Sequence, residues 1–309
     1  MLSLVTGGAG FLGSHLVDAL IAAGDQVIIL DNLCTGSLSN VDRALGSGRA
    51  TFVYLDIAQP VADIREPVLK AARRKKIQRI FHLASPAGYS ASGAHRFPRR
   101  SGLETTSVVD LAAEQNARLV YAAASEPADD TLDHALPSLH VQPEACSDAV
   151  LSATAGEQGP NVGIVRFFGC YGPRMHNAWG RFIPDLMLAA SEGAALPIYG
   201  TGEQTISLTY VDDAVKLLVL FAERIPNRSQ LIDIGDDREW SSVEIALTLA
   251  RILGIEFCPK YVAERPGSIR NRKPDLTGAQ DLGWVPQVSL EKGLQLTYEW
   301  FARESRLFV

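Results

Sequence analysis

Residues 2–13 read Leu-Ser-Leu-Val-Thr-Gly-Gly-Ala-Gly-Phe-Leu-Gly, and this stretch decides the fold. A short, mostly apolar strand leads into three glycines, Gly7, Gly10 and Gly13, and a helix with apolar periodicity follows them. In this context the first glycine makes a tight turn and the second lets the backbone approach a pyrophosphate. The third lets the helix pack on the strand. The pattern predicts a strand, turn and helix that bind a dinucleotide.

The second predicted strand, residues 26–30, ends on Asp31. A carboxylate at this point can hold the hydroxyls of the adenosine ribose and repels a 2′-phosphate. Phe11 and Leu12 open the first helix, whose free N–H groups and dipole favour phosphate. The predicted cofactor is therefore NAD(P)H. Asp31 favours NADH, and NADPH stays possible because of Asn32 and nearby Arg43.

Other cofactor contacts are expected where the next strands end. Residues 51–55 and 79–84 are predicted strands, and ligands of open parallel sheets bind at the carboxyl ends of the strands. The candidates at these ends are Asp56, Ile57, Leu83, Ala84 and Ser85.

Strands and helices alternate through the first half of the chain, which predicts a Rossmann-type, doubly wound parallel sheet of the α/β class. The expected dinucleotide-binding domain covers residues 1–168 and is completed by about 206–235. Residues 169–205 and 236–309 are expected to form a smaller C-terminal α/β lobe that binds substrate beside a cleft.

Composition narrows the possible partners. The 309 residues are 47% hydrophobic and 21% charged, with a net charge of −6, which argues against broad nucleic-acid binding. No stretch predicts a membrane span. The basic run at residues 70–76 lacks aromatic residues, so it predicts a solvated helix face. The four cysteines lack metal-ligand spacing, which predicts reduced thiols in a cytoplasmic protein without a metal site.

Short motifs recur along the whole chain. They are residues 5–16, 30–32, 82–86, 171–176, 199–205, 210–213, 272–275 and 282–286. In this order they resemble the extended short-chain dehydrogenase/reductase family, in particular NAD-dependent epimerases/dehydratases of the UDP-glucuronate decarboxylase type. The resemblance implies the Rossmann fold, a nicotinamide cofactor and a Ser/Thr, Tyr and Lys triad. In that triad the Tyr transfers a proton, while the Lys lowers its pKa and holds the nicotinamide ribose.

The triad itself is missing from the aligned positions, which are Ala124, Ser147 and Leu151. None of the eight tyrosines has a lysine four residues later, and no lysine lies between Lys76 and Lys216. A displaced Tyr-x-x-x-Lys pair is therefore excluded, and no catalytic residue is assigned.

Two further departures concern the substrate. The resemblance implies a diphosphate-binding Arg where this chain has Ile206, and an Asn where it has Gly169. Loss of the Arg removes a charge-assisted contact and makes the pocket more apolar. The segment 147–166 is shorter than in the family, which leaves a monomer or a homodimer open. Substrate contacts are predicted for Pro86, Tyr89, Ser125, Ser147, Phe168, Arg174 and His176.

These features favour an NAD(P)H-dependent ketoreductase that acts on an apolar aromatic ketone. Atypical members of the family that lack the Tyr occur in aromatic polyketide antibiotic pathways. A ketone that is hydrogen-bonded by its own phenol needs little help from an enzymic acid, since placement supplies much of the catalysis. Two alternatives stay open: a nucleotide-sugar decarboxylase, epimerase or dehydratase with improvised acid and base residues, and a non-catalytic NAD-binding protein.

Overall fold

The computed structural model describes residues 1–84, 101–124, 160–175, 182–225, 230–263 and 273–304, with the backbone alone at 101–104 and 124. The chain divides into two compact units. The first contains the described residues of 1–84, 101–124, 160–166, 215–225 and 230–232. The second contains those of 167–175, 182–214, 233–263 and 273–304.

The elements are named here in chain order. The strands are β1 (Leu2–Thr6), β2 (Gln26–Asp31), β3 (Ala50–Tyr54), β4 (Arg79–His82), β5 (Arg118–Ala124), β6 (Val162–Phe167), β7 (Cys170–Tyr171), β8 (Leu196–Tyr199), β9 (Thr205–Ser207), β10 (Thr209–Tyr210), β11 (Gln230–Ile234), β12 (Glu239–Ser241) and β13 (Pro259–Val262). The α-helices are α1 (Phe11–Ala22), α2 (Asp42–Gly46), α3 (Val61–Ala71), α4 (Ser101–Gln115), α5 (Phe182–Ser191), α6 (Val211–Arg224), α7 (Ser242–Leu253), α8 (Thr277–Asp281) and α9 (Leu290–Glu304).

A seven-stranded sheet has the spatial order β11-β6-β5-β4-β1-β2-β3. β1 lies parallel to both β2 and β4, so that Val5 is opposite Ile29 on one side and Phe81 on the other. β3 pairs in parallel with β2, and β5 pairs in parallel with β4, so the sheet grows on both sides of β1. All five residues of β1 are buried, as expected of a central parallel strand that is covered on both faces. The prediction of a Rossmann-type doubly wound sheet is confirmed.

One face of this sheet carries a continuous apolar core. Ile64 and Val68 of α3 and Leu111 of α4 pack with strand residues such as Leu4 and Ile80, all of them 0% exposed. The two α3 residues are four positions apart, which is a spacing that brings side chains to one face of a helix. The core therefore holds the strands in register below the carboxyl edge of the sheet.

The described residues of the second unit form three two-stranded sheets. β7 pairs with β10 in parallel, β8 with β13 in parallel, and β9 with β12 in antiparallel orientation. Because β9 and β10 pair with strands of this unit, residues 206–214 belong to it, although the sequence placed them with the dinucleotide domain. The assignment of the two units to cofactor and substrate stays a prediction.

Asp213 ties the first turn of α6 to a distant loop. The helix begins at Val211, and Asp212 and Asp213 lie in its first turn. Asp213 is fully buried, and its Oδ2 accepts the backbone N–H groups of Gln287 and Val288, each at 2.7 Å. Its role is therefore to hold a distant loop.

None of the described helices is both long enough and apolar enough to cross a membrane.

Candidate functional site

Gly7 makes the turn at the end of β1. Its φ is +67°, a conformation that side chains rarely adopt, and its N–H donates to the Leu30 carbonyl oxygen at 2.8 Å. A Cβ on Gly7 would lie 2.8 Å from the backbone nitrogen of Ala84. The turn therefore needs glycine because the segment after β4, Leu83 and Ala84, passes directly against it.

Gly13 and Gly10 shape the start of α1 in opposite ways. A Cβ on Gly13 would lie 2.1 Å from the Gly7 carbonyl oxygen, so the helix can approach the turn only without a side chain there. A Cβ on Gly10 would meet a single atom within 4 Å, the Gly7 oxygen at 3.2 Å. Gly10 is also the N-cap of α1 and has no capping side chain. The helix terminus is therefore open to a ligand, and this cradle fits a pyrophosphate.

Asp31 ends β2 and organises the loop around the glycine-rich turn. Its Oδ2 accepts the N–H of Ala9 at 2.9 Å, and its Oδ1 accepts the N–H of Leu33 at 2.8 Å. The Ala9 carbonyl oxygen in turn accepts from Ser37 N at 3.0 Å and Asn40 Nδ2 at 2.9 Å. A carboxylate has about four acceptor positions. Asp31 can therefore hold this loop and still accept from a ribose hydroxyl.

The other predicted adenosine contacts lie on the same edge. Leu55, one residue beyond β3, donates its N–H to the Asp31 carbonyl oxygen at 3.1 Å, and Asp56 and Ile57 follow it. Asp56 is exposed, and its Oδ1 accepts the N–H of Ala58 at 2.9 Å. Ile57 is buried and belongs to the apolar core. Ile57 therefore packs in the core, and its contact with the cofactor stays a prediction.

A row of polar side chains across three adjacent strands is a feature that sequence reasoning missed. Thr6 is directly opposite His82, and His82 is opposite Tyr121. Thr6 Oγ1 lies 2.7 Å from His82 Nδ1 and accepts from Ala84 N at 3.3 Å, while the His82 and Tyr121 ring centroids are 5.4 Å apart. Burial lowers the pKa of His82 to about 4, so its ring is neutral at pH 7.

The signal for this row was present in the sequence, since Thr6 and His82 are polar residues within predicted strands that are otherwise mostly apolar. Only the pairing register shows that they meet. The hydrogen bond to Ala84 N connects the row to the segment that touches Gly7, so it positions part of the candidate cofactor site.

In the second unit, Phe168 and Arg174 are the predicted substrate residues that the structure describes. The Phe168 N–H donates to the Ile234 carbonyl oxygen at 3.1 Å, and Arg174 is partly buried with a φ of +67°. Between them, a Cβ on Gly169 would lie 2.4 Å from the Ser207 carbonyl oxygen. The Asn that the resemblance implied at this position would not fit unless β9 moved.

Tyr171 in the same segment has a packing role. It is buried, its hydroxyl donates to the Leu290 carbonyl oxygen at 3.4 Å, and a Cβ on Gly293 would lie 2.1 Å from its Oη. Burial raises the pKa of this phenol well above its usual range. Tyr171 therefore anchors α9 and is a poor proton donor.

The remaining predicted positions lie outside the described residues, and their roles stay predictions. They are Ser85, Pro86, Tyr89, Ser125, Ser147, Leu151 and His176. Ala124 is the last residue of β5, where only the backbone is described. Across the described ranges no group of His, Cys, Asp or Glu side chains is arranged to hold a metal ion.

A doubly wound parallel sheet with a glycine-rich turn after β1 and a carboxylate after β2 defines a dinucleotide-binding α/β protein. The particular family follows from residues 3–235, which match the NAD dependent epimerase/dehydratase family. The chain belongs to this family.

Individual relatives agree with this assignment. UDP-glucuronic acid decarboxylase 1 of Xenopus tropicalis is 32% identical over 324 residues, which cover 97% of this chain and 72% of the relative. The structure of UDP-glucose 4-epimerase from Thermotoga maritima with UDP-glucose has a TM-score of 0.82 at 28% identity, covering 99% of this chain and 100% of that one. DesIV, a dTDP-glucose 4,6-dehydratase from Streptomyces venezuelae with NAD bound, has a TM-score of 0.80 at 27% identity, covering 100% and 98%.

Proposed function

We propose that this protein is an NAD(P)H-dependent reductase of an apolar aromatic ketone, of the polyketide type found in antibiotic pathways. The observation that carries the proposal is the apolar pair of Ile206 and Trp240, which lie directly opposite each other in β9 and β12. Ile206 stands where the resemblance implies a phosphate-binding Arg. An aliphatic side chain beside an indole favours an aromatic surface over a diphosphate.

The candidate cofactor site supports NAD(H) as the dinucleotide. The open N-terminus of α1 at Gly10 would hold the pyrophosphate, and Asp31 would accept from the ribose hydroxyls. The buried Asp31 carboxylate disfavours a 2′-phosphate by repulsion, so NADH is preferred. When bound, the reduced nicotinamide supplies a hydride to a carbonyl carbon.

The chain lacks a Tyr-x-x-x-Lys pair, and this shapes the proposed chemistry. A ketone whose oxygen already accepts a hydrogen bond from its own phenol needs no enzymic acid to polarise it. Water can deliver the final proton to the alkoxide oxygen. The chain then contributes binding and placement, which can supply several kcal/mol of barrier reduction.

A second candidate is a nucleotide-sugar decarboxylase, epimerase or dehydratase with other acid and base residues. The similarity to UDP-glucuronic acid decarboxylase 1 and to epimerase and dehydratase structures favours it. Both candidates share hydride transfer at a nicotinamide, and they differ in what occupies the substrate site.

The two are separated by following NADH oxidation with 8-hydroxy-1-tetralone, whose carbonyl accepts from its phenol, and with 1-tetralone as the matched control. We expect oxidation with the hydroxyketone and much less with the control. Calorimetry with UDP-glucuronate is run in parallel and should show weak binding. Tight UDP-glucuronate binding with turnover, and no ketone reduction, would assign the second candidate. NADH binding without turnover of any substrate would indicate a non-catalytic protein.

A further inference from the structure

The ribbon formed by β9 and β12 has two chemically different faces. Ile206 and Trp240 are paired residues, so their side chains lie on one face, and both are partly exposed. Their neighbours Thr205 and Glu239 lie on the other face, where Thr205 Oγ1 donates to Glu239 Oε1 at 2.9 Å. The polar side chains on one face therefore hydrogen-bond to each other, and the other face presents apolar surface.

The planar guanidinium of Arg238 lies over the indole of Trp240 on this face. Its Cζ lies 3.4 Å from the centre of the Trp240 ring, while its side chain stays 58% exposed. Its Nη2 is 3.9 Å from Glu244 Oε1. Glu244 is held by a capping box with Ser241, in which Ser241 N donates to Glu244 Oε2 at 2.7 Å and Glu244 N donates to Ser241 Oγ at 3.1 Å. The guanidinium is thus held over the indole before any ligand arrives.

The apolar face continues to the segment that contains Phe168. A Cβ on Gly169 would lie 3.4 Å from Ile206 Cγ1 and 3.2 Å from Leu208 Cδ2. The two aliphatic side chains therefore converge on the bare backbone of Gly169. The positions where the resemblance implied an Asn and an Arg are in contact, and neither offers a polar side chain here.

We propose that Trp240, Arg238 and Ile206 form a stacking subsite for the planar aromatic part of the substrate. The inference rests on the proposed ketoreductase function and names the substrate class that this site takes. The exposed face of a guanidinium stacks well on aromatic rings, and an indole behind it strengthens the platform. A diphosphate fits less well, because Glu244 already pairs with Arg238 and would repel it.

Binding is tested directly, without turnover, by calorimetry of 8-hydroxy-1-tetralone with the protein saturated in NAD⁺. Trp240→Ala should weaken the binding about five- to tenfold, because it removes the indole that holds the Arg238 guanidinium in place. Trp240→Phe should restore most of it. Trp300→Phe is the matched control, since Trp300 is also partly exposed and in contact with a neighbouring side chain, Phe301. It should leave binding unchanged.

A second arm uses UDP as the probe. Ile206→Arg should tighten UDP binding about tenfold or more, because it supplies a charge-assisted donor. Tight UDP binding by the wild-type protein that Arg238→Ala abolishes would overturn the inference and make Arg238 a phosphate ligand. Unchanged tetralone affinity in Trp240→Ala would also overturn it, even if the ketone is reduced and the proposed function stands. Trp240-dependent tetralone binding without NADH oxidation would support the subsite and reject the proposed function.

Discussion

His82 is a buried histidine whose Nδ1 lies 2.7 Å from Thr6 Oγ1. Burial lowers its pKa to about 4 from the usual 6.5. Between pH 6.5 and pH 4, therefore, the histidine takes up a proton in the unfolded chain and stays neutral in the folded one. Its contribution to stability is complete above pH 6.5 and is lost as the pH falls towards 4. The loss should reach about 3 kcal/mol.

Urea unfolding at pH 7 and pH 4.5 measures this effect. Between these two pH values the free energy of unfolding of His82→Gln should change by about 2 kcal/mol less than that of the wild type, because pH 4.5 still lies above the folded-state pKa. Gln280→Ala, at an exposed position of α8 without a titratable side chain, is the control and should keep the pH dependence of the wild type. If the free energy of unfolding of His82→Gln depended on pH as that of the wild type does, His82 would have the same pKa in the folded and the unfolded chain.

Asp31 should govern both the cofactor preference and the local loop. Asp31→Ala should shift the ratio of NADPH to NADH affinity towards NADPH by about tenfold, because the repulsion of a 2′-phosphate is removed. It should also lower the free energy of unfolding by about 1–3 kcal/mol, since Ala9 and Leu33 lose their acceptor. Fluorescence titration with both cofactors measures the ratio. Glu66→Ala, which removes an exposed carboxylate on α3, is the control. An equal ratio in Asp31→Ala and wild type would place Asp31 away from the ribose.

At the scale of elements, the contact of α1 with the turn after β1 depends on Gly13. In Gly13→Ala the new Cβ would meet the Gly7 oxygen, so the free energy of unfolding should fall by about 1–3 kcal/mol and NADH binding should weaken. A Cβ on Gly46 in α2 would meet no atom within 4 Å, so Gly46→Ala should stabilise by about 0.5–1 kcal/mol. Thermal unfolding of both variants measures the two changes in stability. If Gly13→Ala were as stable as the wild type, α1 would be free to shift away from the turn.

The opposite end of the sheet is held by an ion pair between Arg79 of β4 and Asp25, with side chains only 5% and 8% exposed. Asp25→Ala should destabilise by about 3–5 kcal/mol, because it leaves a buried guanidinium without its carboxylate. The exposed pair of Arg74 and Glu66 is the control, and Glu66→Ala should change stability by less than about 1 kcal/mol. Chemical denaturation measures the loss of stability in Asp25→Ala and in Glu66→Ala. Equal losses would contradict the idea that burial makes the Arg79–Asp25 pair more important.

At the scale of the molecule, cofactor binding and stability are linked. NADH at about 100 times its dissociation constant should stabilise the folded protein by about 2.7 kcal/mol, if it binds the folded state alone. The melting temperature should therefore rise with NADH concentration. Nicotinamide mononucleotide, which lacks the adenosine that Asp31 would hold, should have a much smaller effect at equal concentration. Equal shifts would indicate that the adenosine half of the site is not used.

Local features of the site could be predicted from the sequence, and long-range ones could not. The glycine spacing and the strand that ends on Asp31 involve residues close in the chain, and the structure has both where they were expected. The Thr6–His82–Tyr121 row joins three strands that are far apart along the chain. Its existence depends on a register that no local pattern specifies.

The sequence by itself determined the parallel α/β fold, the glycine-rich turn and the absence of a Tyr-x-x-x-Lys pair, because each follows from residue types at short spacing. Only the tertiary structure decided that Asp31 anchors Ala9, that β9 leaves no room for a side chain on Gly169, and that Ile206 faces Trp240. These contacts join residues that are distant along the chain, such as Ala9 and Asp31, which are 22 positions apart. Their geometry depends on how strands pair and how closely backbones pack, which is a property of the whole fold.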